Sequence, residues 1–178
     1  MKKIRKNRNG ISAIIVSLII LAVSLGMAVA YASMMMGWFG GASVMIKIDT
    51  SDTKIIQQPS TGYTKIQVVI RNLGTATIKI SNILIDMKNA QGNVTFLPSL
   101  TFILKQENIE IVRGKIYGSS SSVVVNSEGK LVIPPGESAT LFGEIVDGRN
   151  YWEINEDYRG TIFYEGGVKD FKYTVESY

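Results

Sequence analysis

Neither cysteine nor histidine occurs in these 178 residues. Their absence removes the disulfide framework, the zinc sites built from Cys and His, and every nucleophile–base pair that depends on either side chain. Charge is missing from a long N-terminal stretch: between Arg8 and Lys47 there is no Asp, Glu, Lys or Arg. A basic surface is missing as well, although 19 Lys and Arg against 15 Asp and Glu give a net charge of +4. Five of the cations, Lys2, Lys3, Arg5, Lys6 and Arg8, crowd the first ten positions. Without residues 1–10 the chain carries 14 basic and 15 acidic residues, a net −1. The positive balance is confined to one end, so a nucleic-acid-binding reading loses its support.

What the N-terminal stretch does have is apolar length. Ile11–Phe39 contains neither charge nor proline, and twelve of its 29 residues are Ile, Leu, Val or Phe. As a helix it is about 43 Å long, whereas a bilayer core needs about 20 residues. Those twelve side chains favour the membrane by roughly 4–7 kcal/mol on an insertion scale. The basic cluster predicts that the N-terminus stays cytoplasmic and that the rest of the chain lies outside. Ala22, Gly26, Ala30, Ser33 and Gly37 recur at spacings of three and four. That places them on one helical face, where a second helix can approach closely. The plainer account is that small residues are common in any membrane helix. Gly40 and Gly41 are expected to break the helix and serve as a hinge.

Three fates for this segment compete. It is a plain transmembrane anchor, or a secretory signal cut near Ala28-Val29-Ala30 or Ala30-Tyr31-Ala32, or a helix retained after cleavage at Gly10. Cutting at the alanines would leave Met34–Phe39 as a greasy new N-terminus. The sequence Arg8-Asn9-Gly10-Ile11-Ser12-Ala13-Ile14-Ile15 resembles the prepilin-type signal of archaeal type IV pilins and archaellins. The resemblance covers residues 1–40. It implies that a membrane prepilin peptidase cuts between Gly10 and Ile11 and that the helix stays on the subunit. Bacterial type IV pilins carry Glu five residues into the processed chain, where Ile15 stands here; archaeal members often lack it.

Beyond the hinge the hydrophobic period changes from helical to two. Lys65, Gln67 and Arg71 alternate with Ile66, Val68 and Ile70, the pattern of a half-buried strand. Asn72–Thr75 has turn chemistry. In the strand that follows, apolar parity flips near Ser81-Asn82, which predicts a β-bulge. Further strands are expected at Val44–Thr50, Glu110–Tyr117, Val123–Val125, Leu131–Ile133, Ser138–Ile145, Thr161–Glu165 and Lys169–Val175. Residues 118–122 read as a flexible loop. Between Leu97 and Pro135 the pattern is less regular. Eight to ten short strands without a further helix point to an α+β chain: a long hydrophobic helix, then an immunoglobulin-like antiparallel β-sandwich. The expected division is 1–10 leader, 11–40 helix and 41–178 head. Val69–Gly74 together with Ile133–Ser138 also resembles the β-sandwich heads of archaeal pilins and archaellum-associated proteins.

Candidate sites are few. Asn93-Val94-Thr95 is an N-glycosylation sequon beside an expected turn. Glu153, Glu156 and Asp157 lie among aromatics in Tyr151–Tyr158. Acid–base or Ca²⁺ chemistry there is the sharper reading, and a solvated loop the better supported one, since no ligand-loop spacing is present. No catalytic constellation, metal site, phosphate-binding loop or cofactor motif emerges. The expectation is a non-enzymatic structural subunit of an adhesive extracellular pilus, packed through a helix that buries Ile19 and the small face in the filament core. The rivals are an archaellin and a membrane-anchored, envelope-binding protein. The resemblance implies identical copies, the prepilin peptidase, an assembly ATPase and its membrane platform as partners, with the membrane holding the precursor.

Overall fold

The computed structural model describes the backbone of residues 8–42 and 45–178, and the side chains of residues 14–34 and 45–178. It separates into two compact units, residues 1–44 and 45–178.

The first unit contains one α-helix, α1 (Arg8–Ala42). It starts two residues before Gly10 and passes through Gly40 and Gly41. The expected break at that pair is therefore corrected: the helix ends after Ala42. Glycine weakens a helix by about 1 kcal/mol relative to alanine without forbidding helical dihedrals, so the two glycines do not stop an uninterrupted apolar run. The side chains of Gly10, Ile11, Gly37, Gly40 and Gly41 lie outside the described set.

The second unit is built from twelve strands among the described residues: β1 (Ile48–Asp49), β2 (Lys54–Gln57), β3 (Thr64–Asn72), β4 (Ile78–Asp86), β5 (Gln91–Leu97), β6 (Thr101–Gln106), β7 (Ile109–Gly118), β8 (Val124–Val125), β9 (Leu131–Ile133), β10 (Ser138–Ile145), β11 (Asp157–Tyr164) and β12 (Gly167–Ser177). They form one sheet in the order β11-β12-β2-β3-β10-β7-β6-β5-β4-β9-β8, with β1 on β3. Because β11 also pairs with β4, from Gly160↔Ile85 to Tyr164↔Ile80, the path from β11 to β4 closes on itself. The head is thus a closed, barrel-like sheet, and this corrects the expected two-layer immunoglobulin sandwich. The reason is that β11 is hydrogen-bonded along both edges, to β12 and to β4, so no seam is left to divide two sheets. The ring has nine strands, an odd number, and strict alternation of direction cannot close an odd ring. The mismatch is absorbed where β12 runs parallel to β2 (Val175↔Ile55).

Two devices bend the sheet. Ser81 is the extra residue of a bulge, since Phe163 pairs with Asn82 while Tyr164 pairs with Ile80. The parity flip had predicted it, and the Ser81 hydroxyl donates to Phe163 O at 3.2 Å. Glycine facing an aromatic is the other device. Gly160 sits opposite Phe171, and a Cβ on it would lie 2.2 Å from that ring. Omitting the side chain lets the aromatic cover the backbone of the neighbouring strand.

The barrel encloses one core rich in aliphatic residues, including Ile55, Ile66, Ile70, Ile80, Ile83, Val94, Leu104, Leu131 and Ile133, all nearly inaccessible. The β10–β11 connection adds Trp152, also buried. Its Nε1 donates to Asp86 O and to the Tyr173 hydroxyl, both at 3.2 Å, and that hydroxyl donates to Asp86 O at 2.5 Å. Burial holds the Tyr173 phenol well above its usual pKa of 10.0, because charging it would strand an anion inside the core.

Candidate functional site

The functional candidate with the most surface is α1 itself. The 21 residues Ile14–Met34 are long and apolar enough to cross a membrane, by length and composition, and no part of that span is buried. Ile14, Val16, Leu18, Ile19, Leu21, Leu25 and Met34 each leave more than half of their surface open. The apolar residues surround the axis rather than forming a stripe, which is the pattern of a helix meant to be enclosed on every side. Each fully enclosed Val, Leu, Ile or Met is worth about 1.5–3 kcal/mol.

The three serines of the span are already satisfied. Ser17, Ser24 and Ser33 each turn a hydroxyl back onto the preceding helical turn, donating to Ile14 O, Ile20 O and Val29 O at 2.8 Å. With the helix hydrogen bonds made as well, the exposed Tyr31 hydroxyl is the one side-chain polar group of the span left to its surroundings. The small face carries Ala22, Gly26, Ala30 and Ser33. A Cβ added at Gly26 would meet nothing within 4 Å, so among the described residues nothing packs closely on the face at that point. What the arrangement can do chemically is limited to one thing: it can exchange water for lipid or for other apolar helices.

On the head, Asn93 lies inside β5 rather than beside a turn, paired with Lys105 and Leu84. Asn93 and Thr95 both face outward and are exposed, so the sequon is accessible in an extended conformation. Two of the carboxylates of the Tyr151–Tyr158 stretch are turned to separate partners. Trp152 points into the core, Glu153 pairs with Lys88, and Asp157 accepts from the Thr174 hydroxyl at 2.6 Å. Among the described residues no three carboxylates gather as metal ligands. Within the stretch, buried Trp152 anchors the loop to the core.

Sequence reasoning placed Asn72 in a turn and missed its role. Asn72 is fully buried. Its Nδ2 donates to Ala76 O at 2.7 Å and Ile133 O at 2.9 Å, and its Oδ1 accepts from Gly74 N at 3.0 Å. Its backbone bonds Glu137 O and Gly136 N at 2.9 and 2.8 Å. The two segments singled out in the sequence, 69–74 and 133–138, meet at this residue. The available signal was an Asn at a strand end followed two residues later by Gly, an Asx-turn pattern.

The head's ion pairs are exposed. One of the doubly paired groups is Lys130, which bonds Glu128 and Glu165 at 2.7 and 2.9 Å and is pushed up to about 12 by them. Such pairs dress a surface and build no reactive centre. No family model matches this chain, and no curated protein matches it.

Proposed function

We propose that this chain is the subunit of an extracellular type IV pilus-like filament, made as a membrane precursor and polymerised through α1. The carrying observation is the helix: apolar on every side, with its serines self-satisfied, and preceded by a basic cluster ending at Gly10. Such a helix is stable in lipid, and outside lipid it is stable only against other helices like it. In this reading cleavage between Gly10 and Ile11 frees the subunit. An assembly ATPase and membrane platform then move it from lipid into a bundle, where the face at Ala22, Gly26, Ala30 and Ser33 admits neighbours closely. The heads form the outer layer, and Asn93 presents an N-glycan to solvent.

Sequencing the N-terminus of the surface form tests this. Ile11 is expected. A start at Tyr31 or Ser33 would place the helix in a discarded secretory signal and leave no filament core. The same architecture serves an archaellin. A membrane-anchored binding protein is a second reading, favoured by the aromatic-walled cavity on the head described below. Copy number separates them, since a filament subunit is abundant in sheared surface material and an anchored receptor is not.

A further inference from the structure

Three neighbouring strands carry a row of outward residues across the head: Ile56 on β2 pairs with Lys65 on β3, which pairs with Glu144 on β10. Glu144 is therefore the carboxylate nearest to hand for Lys65. The pairing is not made. The Tyr63 hydroxyl hydrogen-bonds Glu144, which raises the tyrosine's pKa. Among the described residues Lys65 belongs to no salt bridge. Its ammonium instead stands 5.9 Å from the ring centroids of both Tyr63 and Tyr178, within cation–π range.

A cavity of about 190 Å³ opens there, lined by Ile56, Gln58, Tyr63, Lys65 and Tyr178. Tyr178 is 84% exposed, yet it is placed by its backbone, with its N–H donating to Gln57 O at 3.0 Å. The two ring walls come from opposite ends of the head sequence and meet because β2 is flanked by β3 and β12.

We infer that this cavity binds one acidic sugar unit, a uronic-acid residue of a surface glycan. The lysine supplies the charge for the carboxylate, and its natural carboxylate partner is held away by Tyr63. The tyrosine walls offer flat apolar surface to the C–H face of a pyranose. The Gln58 amide and the Tyr63 oxygen border the cavity with donors and acceptors for hydroxyls. Drug-sized ligands occupy roughly 300–1,000 Å³; this smaller cavity holds a single ring of a longer chain. An acidic peptide would also reach the ammonium, but a narrow Glu side chain does not fill a slot with two aromatic walls. The assignment deepens the adhesive reading above without depending on polymerisation.

The experiment uses the full-length chain in a polyoxyethylene detergent, which carries no sugar. Tetragalacturonate, maltotetraose and tetraglutamate are titrated calorimetrically. Saturable binding of tetragalacturonate is expected, with affinity at least about tenfold above that for the other two. Lys65→Gln and Tyr63→Ala should each weaken it by about tenfold or more, while Lys65→Arg keeps it within about threefold. Lys169→Gln, on the β11–β12 hairpin, should change nothing. An unchanged circular dichroism spectrum shows that each variant is folded. No saturable binding, binding indifferent to Lys65→Gln, or tetraglutamate binding as tightly as the uronate would each overturn the assignment. Because the assay needs no filament, its failure leaves the polymerisation reading untouched, and the reverse also holds.

Discussion

The helix and the head solve the problem of water in opposite ways. In the head more than half of the large aliphatic side chains are buried, and the sheet closes on itself so that the ring strands are paired along both edges. Across Ile14–Met34 nothing is turned inward, because there is no inside. The helix satisfies only its own backbone and its serines, leaving all its apolar surface to be covered by something else. One unit is self-sufficient, and the other is half of an interaction. The comparison teaches where a substitution will be felt: changes in the core of the head act on stability, and changes in the helix act on what surrounds it.

The strongest way to break the comparison is to place a charge on the helix. Ile19→Asp costs about 2.5–3.5 kcal/mol at a bilayer centre, against roughly 4–7 kcal/mol favouring insertion. The variant should still reach the membrane fraction. In a bundle the same carboxylate would recur, unpaired, in every copy, with a far larger penalty. Sheared surface filaments should therefore contain none of it. Normal filament yield would mean that this helix lines no packed core.

Trp152→Ala tests the other half. Removing a fully buried Trp should cost about 3–5 kcal/mol, lowering the urea midpoint of the purified chain while leaving membrane insertion at the wild-type level. Loss of insertion together with stability would show that the units are not independent. Asn72→Ala should come next, at about 2–3 kcal/mol, because Ala76 O, Ile133 O and Gly74 N lose a buried partner. Its signature is early hydrogen exchange at residues 73–76 and at Gly136 and Glu137.

The smallest effect belongs to Tyr173→Phe, about 1 kcal/mol at neutral pH, where Asp86 O keeps only the Trp152 donor. The pH dependence is sharper. A phenol whose folded pKa is raised above 10.0 stabilises the fold fully below pH 10, and that contribution fades as pH rises towards the folded value. Wild type should thus lose stability above pH 10 more steeply than Tyr173→Phe. Tyr63 shifts in the same direction from the surface and is common to both proteins, so the difference isolates Tyr173. Urea midpoints measured from pH 8 to 11 decide it.

Local pattern carried a good deal of the head. Strand β10 runs from Ser138 to Ile145, as alternation and the preceding Pro134-Pro135-Gly136 predict, and the β11–β12 hairpin turns at Gly166. The bulge at Ser81 was visible because a side-chain period of two cannot change parity without an extra residue. Strand β6 was not visible, since Phe102, Ile103 and Leu104 are consecutive buried residues without alternation. Strand β2 was missed because four residues give too little periodicity. For the candidate sites, the apolar helix and the Asn93 sequon were legible as short contiguous patterns. The Asn72 junction and the Tyr63–Lys65–Tyr178 cavity were not, because their parts lie 61 residues or more apart along the chain.

By itself the sequence determined that one segment must leave water, because a run without charge has no other stable environment. It also determined that the remainder is built of strands, because side-chain alternation is a property of neighbours in the chain. Only the tertiary structure decided that those strands close into a ring rather than stack as two layers. Closure hangs on β11 pairing with β4 and on β12 lying parallel to β2, contacts between residues about 80 to 120 positions apart. Which strand end meets which is set by burying one common core, and no local pattern encodes that.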